Sequence, residues 1–113
     1  MAQLTPQLTV VYWRDIPAQV IVRAGRRNAK VQLSERFEKA IDRAAMRAKM
    51  HGSDAYLEQW RRGAPQDCGD DLEAEAQAAA ARLEAEYNDQ RLAELVAAGG
   101  EDAPESPAQN TAS

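Results

Sequence analysis

Residues 7–33 read Gln-Leu-Thr-Val-Val-Tyr-Trp-Arg-Asp-Ile-Pro-Ala-Gln-Val-Ile-Val-Arg-Ala-Gly-Arg-Arg-Asn-Ala-Lys-Val-Gln-Leu. The first seven are β-branched or aromatic at most positions, which predicts a strand over 7–13. Asp15-Ile16-Pro17 follows. Pro17 has a fixed φ and no N–H, so it suits a turn or a strand start. Residues 18–23 predict a second strand. Gly25-Arg26-Arg27-Asn28 is a turn signal, because Gly and Asn tolerate positive φ. Residues 29–33 alternate apolar and polar, as a half-buried strand does. Three strands joined by short loops are expected to form an antiparallel meander of two hairpins.

Helical patterns come next, so the class is α+β. Ser34 is expected to cap a helix that carries Phe37, Ile41, Ala44, Ala45 and Ala48 on one stripe and ends near Gly52. Ser53 is expected to open a short helix over 54–62, with Tyr56, Leu57 and Trp60 on one face. These two helices would pack on the meander and complete an α+β domain over 7–63. Gly63, Pro65 and Gly69 mark a linker over 64–70. Residues 71–98 are rich in Ala and Glu and predict an acidic helical extension. Leu72, Ala76, Ala79, Leu83 and Tyr87 form one stripe, and Leu92, Leu95 and Val96 another. The phase slips at Asn88-Asp89, which allows two helices. Residues 99–113 are polar, lack periodicity and are expected to be disordered. Whether the rear helix folds back on the head is left open.

The chain of 113 residues fits one small domain with a tail. Its net charge of −4 hides a split: residues 1–63 carry 12 basic and 6 acidic side chains, residues 64–113 carry 2 and 12. The acidic rear is a possible cover for the basic head. One cysteine, Cys68, excludes an internal disulfide and fits a reducing compartment. The opening Met-Ala-Gln-Leu-Thr-Pro lacks the basic and apolar segments of a signal peptide, and no apolar run approaches the roughly 20 residues of a membrane span. A cytoplasmic protein without membrane contact is expected.

The residues propose no catalytic site. Cys68 and His51 lie in different segments and do not make a zinc site, so no metal is expected. Cys68 reads as an inert thiol, and His51 as a residue at a helix C-terminus. No Gly-x-Ser-x-Gly, P-loop or dinucleotide fingerprint occurs, so neither an enzyme nor a cofactor is expected. The basic residues are more suggestive. Arg14, Arg23, Arg26, Arg27 and Lys30 lie on the meander, and Arg61 and Arg62 follow Trp60. Guanidinium forks suit carboxylate and phosphate, while aromatics such as Trp13 or Trp60 can anchor a partner. Solubilising a sheet edge or complementing a helix dipole would use the same residues. The candidate site is therefore a basic surface for an acidic protein or a small anionic ligand. Nucleic acid is the weaker expectation, because the acidic rear opposes phosphate.

The stretch Val11-Tyr-Trp-Arg-Asp-Ile-Pro-Ala-Gln-Val-Ile-Val carries a family resemblance. So do Gly25-Arg-Arg, Val31-Gln-Leu-Ser-Glu-Arg-Phe-Glu-Lys-Ala-Ile-Asp-Arg-Ala-Ala-Met and Asp54-Ala-Tyr-Leu-Glu-Gln-Trp-Arg-Arg. Together they resemble the small bacterial family called virulence factor, named after the C-terminal part of conserved virulence factor C. The resemblance covers about residues 9–63 and leaves the rear helix and tail outside. It implies an accessory or regulatory module. In larger relatives such a domain follows a NifU-like scaffold domain and helical repeats. This chain has neither that scaffold nor the cysteines of a cluster, so iron–sulfur assembly does not carry over, and the family offers no catalytic residues to transfer. Stand-alone relatives accompany folate and corrinoid methyl-transfer genes, which implies, as an alternative, an accessory subunit of such a system.

Overall fold

The computed structural model describes residues 5–50, 52 and 54–101. The expectations for His51, for Ser53 as a cap and for most of the 99–113 tail lie outside these residues, while Gly99 and Gly100 at the start of that tail are buried and hydrogen-bonded.

Three strands lead the chain: β1 (Gln7–Trp13), β2 (Ile16–Ala24) and β3 (Arg27–Gln32). Two-residue turns join them, Arg14-Asp15 and Gly25-Arg26, with Arg14 and Gly25 at φ 55° and 61°. Gly meets that requirement freely, whereas Arg14 needs contacts to hold it there. The β1–β2 ladder shifts register between Val11 and Tyr12, and Pro17 sits at this bulge. A bulge is where a residue with no N–H does least harm to a ladder.

Two further strands correct the three-stranded meander. Residues 60–62, expected to end a helix, form β4 (Trp60–Arg62) beside β1, after a five-residue helix α2 (Asp54–Glu58). Leu57, placed on the apolar face of that helix, is 64% exposed. Within the stretch expected to be a linker, β5 (Gln66–Asp67) pairs with the start of β1. The sheet order is β3-β2-β1-β4, with β5 also on β1. All pairs are antiparallel.

Helix α1 (Glu35–Arg47) buries Phe37, Ala40, Ile41, Ala44 and Ala45. It stops before Gly52, at Ala48, and Lys49 takes φ 60°. Ser34 occupies the N-cap position, but its hydroxyl does not cap; it donates to Glu84 at 2.9 Å. The rear pattern resolves into α3 (Leu72–Glu86) and α4 (Asp89–Ala97), split where the phase slips. Asp71 and Asn88 cap them by accepting from the Ala74 and Arg91 amides.

Both rear helices fold back. Helix α3 packs on β2 and β3, and α4 packs on α1. Leu8, Val20 and Val22 from the sheet, Phe37 and Ile41 from α1, and Leu72, Ala76, Leu92 and Leu95 from the rear share one core. Arg36 links the pieces: its guanidinium donates to the Glu84 carbonyl at 2.6 Å, to the Glu84 carboxylate at 3.0 Å and to the Tyr87 carbonyl. Among the described residues, no helix is long and apolar enough to cross a membrane.

Candidate functional site

The β1–β2 turn holds the most densely bonded arginine of the basic set. The Arg14 side chain is only 14% exposed and ion-pairs with Glu101 at 3.6 Å. It donates to the Gln59 side-chain oxygen at 3.2 Å and to the Gly99 carbonyl at 3.1 Å. The Asp15 amide donates to the Gly100 carbonyl at 2.8 Å. Arg14 therefore fastens the turn to β4 and to the end of α4. Arg61 is engaged nearby. It donates to the Arg14 carbonyl and to the Asp15 carboxylate, and lies over the Tyr12 ring at 4.5 Å.

The two tryptophans part company. Trp13 and Trp60 face each other across β1 and β4. Trp13 is wholly buried, and its indole N–H donates to the Tyr56 carbonyl at 2.9 Å. Trp60 is 38% exposed and meets the Tyr56 ring edge-on at 6.2 Å. Of the two candidate anchors, only Trp60 reaches the surface.

Side chains alternate across a strand. Leu8, Val10, Val20, Val22, Ala29 and Val31 turn to the face that α3 covers and join the core or pack against it. Their neighbours in the ladders lie on the opposite face. There Gln7 pairs with Arg23, Thr9 with Ile21, Ile21 with Lys30, and Val11 with Arg62. A groove of about 400 Å³ opens on this face. Ile21 forms its floor, Thr5, Thr9 and Gln7 its polar lining, and Arg23 and Arg62 its charge. Lys30 flanks it as the cross-strand neighbour of Ile21. Among the described residues no carboxylate lies within ion-pair distance of Arg23, Arg62 or Lys30.

The remaining two basic candidates sit at the β2–β3 turn. Arg26 is exposed at the tip. Arg27 lines a shallow recess with Asp70, Asp71 and Glu73 at the start of α3, so part of the acidic rear does lie against the basic head. The seven basic residues singled out in the sequence thus divide. Arg14 and Arg61 knit the fold, Arg27 faces the acids of α3, Arg26 is exposed at the turn, and Arg23, Lys30 and Arg62 stand on the open face.

One pairing escaped sequence reasoning. Glu84 accepts from both the Ser34 amide, at 2.7 Å, and the Ser34 hydroxyl. Burial opposes its charge, but those bonds and Arg36 outweigh that effect and hold its carboxyl below the usual range. Cys68 is half-buried, and its thiol is pushed up first by burial and then by Glu75, Asp67 and Asp70.

A protein-family model described as virulence factor matches residues 11–96 of the chain. The matched span runs past the resemblance read at about 9–63 and takes in β5, α3 and nearly all of α4 as well. No curated protein matches the chain, and no solved structure matches it.

Proposed function

The chain belongs to the virulence factor family, and from that premise we propose that it is an interaction module whose open sheet face binds a carboxylate-bearing protein surface. Family membership supports a virulence-associated role at the level of the family. The observation that carries the finer reading is the contrast among the arginines. Arg14, Arg36 and Arg61 are bonded into the fold, while Arg23 and Arg62 converge on one groove without an ion pair among the described residues. Two guanidiniums beside Thr and Gln side chains offer forked donors for paired carboxylates. The chain as a whole is acidic, so this face is a local exception to its net charge.

Charge placement favours the same partner. Helix α3, which carries Glu73 and Glu75 in its first turn, covers the other face of the sheet. An acidic protein approaching the groove meets Arg23, Lys30 and Arg62, with one carboxylate beside them, Asp67, which accepts from the Gln7 side chain at 3.0 Å. In this role the chain acts in the cytoplasm as a non-enzymatic accessory protein, and its affinity is set by electrostatics that salt screens.

The test is calorimetric titration of the full chain with a hexaglutamate peptide at low and moderate salt. The proposal expects saturable binding that weakens as salt rises and is lost in the Arg23→Glu, Arg62→Glu double variant. Absence of binding at low salt overturns it. So would tighter binding of a single-stranded oligonucleotide than of the peptide, which would assign the face to nucleic acid.

A further inference from the structure

At the other end of the sheet lies a recess of opposite character. Tyr56 and Trp60 wall it with rings perpendicular to each other, and Trp13 backs Tyr56 at 5.6 Å, which leaves Trp60 as the wall with an exposed ring. Leu33, Ile41 and Ala18 form its apolar base, and Glu38 and Asp42 of α1 stand at it with their carboxylates. Among the described residues neither acid makes an ion pair. Such a volume, about 120 Å³, suits a head group rather than a whole ligand, which needs about 300–1,000 Å³.

We propose that this recess binds a methylated ammonium group. Aromatic faces attract a cation through their quadrupoles, and a methyl shell makes that cation compatible with an apolar base. The two carboxylates supply net negative charge and, being exposed, keep water as their hydrogen-bond donor. A bare ammonium would find acceptors in Glu38, Asp42 and Gln32, but its hydration shell is stripped against Leu33 and Ile41 with no packing gained there, whereas a methyl shell packs on them. The phenol of Tyr56 is pushed up first by burial and then by Asp42 and Glu38, so the ring stays neutral while it feels their field.

This site is independent of the basic groove. Trp60 pairs with Trp13, and the groove centres on Thr9 and Ile21. Their centres lie four residues apart along β1, about 13 Å at about 3.3 Å per residue, and they approach most closely along β4, where Trp60 and Arg62 stand two residues apart on one face. The two ends also select opposite charges.

The probe is tetramethylammonium chloride, titrated into the full chain while the indole N–H signals of the two tryptophans are followed by NMR. Saturable movement of the Trp60 signal is expected, with neopentyl alcohol, a neutral compound of similar shape, at least about tenfold weaker. Asp42→Asn and Glu38→Gln, both at exposed positions of α1, should each weaken binding by about threefold to tenfold at unchanged stability. Trp60→Ala should abolish it. Choline and a trimethyl-lysine peptide distinguish the sources of the group: tighter choline binding assigns the site to a small molecule, tighter peptide binding to a protein. Equal binding of neopentyl alcohol, equal binding of ammonium chloride, or no saturable movement would overturn the proposal.

Discussion

Replacing Gly100 by alanine should break the join between the end of α4 and the β1–β2 turn. Gly100 has φ 94°, and an added Cβ would stand 2.8 Å from Trp13 Cζ3 and 3.1 Å from Cε3. Its carbonyl accepts from the Asp15 amide, and its amide donates to the Leu95 carbonyl at 2.7 Å, so neither strand turn nor helix end is free to withdraw. A left-handed backbone costs a non-glycine residue about 1–2 kcal/mol. Overpacking against a buried ring adds about 1–3 kcal/mol. The expected loss is therefore about 2–5 kcal/mol, a large share of the stability of a small domain. Gly99 supplies the control. It has φ 71°, but its added Cβ would make ordinary contact, 3.5 Å from Ala48 Cβ. Gly99→Ala should lose only the backbone share, about 1–2 kcal/mol. Urea unfolding followed by tryptophan fluorescence measures both. With a slope of about 1–3 kcal/mol per molar, the Gly100→Ala midpoint should fall by about 1 M or more. A Gly100→Ala protein no less stable than Gly99→Ala would refute the close approach of Gly100 to Trp13.

Further outcomes follow from the same contacts. Arg36→Met should lose about 1–3 kcal/mol, mostly from its bonds to the part-buried Glu84 and Tyr87 carbonyls rather than from the partly exposed ion pairs; a urea midpoint equal to the parent's would contradict that. Glu84 has a folded-state pKa depressed below its ordinary 4.5. Its contribution is thus complete above that value and lost as pH falls through the folded pKa. Glu84→Gln should show a shallower loss of stability below about pH 4.5 than the parent, and parallel pH curves would count against the Ser34–Glu84 pairing. The raised Cys68 thiol should react with iodoacetamide at pH 7 more slowly in the folded chain than in urea. Equal rates would show that the thiol is neither shielded nor shifted.

The sequence discloses an element where its residues carry the signal locally. β-Branched and aromatic content in β1, alternation in β3, the apolar stripe of α1 and the phase slip at Asn88-Asp89 all lie in short windows, and each corresponds to an observed element. Strand β4 could not be read that way. Trp60, Arg61 and Arg62 are all exposed and continue a helical spacing from Tyr56; only the ladder to β1 makes them a strand. The same holds for β5, two residues defined by Gln7 and Leu8. A partner 50 or so residues away leaves no mark on local periodicity.

The basic surface was legible as composition but not as geometry. Seven residues were singled out, and nothing in their spacing separated Arg14 from Arg23. The separation comes from a positive φ at Arg14 and from Gln59, Gly99 and Glu101, distant in sequence. Parity, by contrast, was available. Arg23 is one residue out of step with Val20 and Val22, so a strand that buries the valines must turn Arg23 to the other face.

The most direct measurement is to record amide and arginine side-chain NMR signals of the full chain during a titration with hexaglutamate at low salt. Binding at the open face predicts movement of Thr9, Ile21, Arg23, Lys30 and Arg62, with Arg14 and Arg61 unmoved. Movement confined to the Arg26–Arg27 turn, or spread over the surface without saturation, would contradict it.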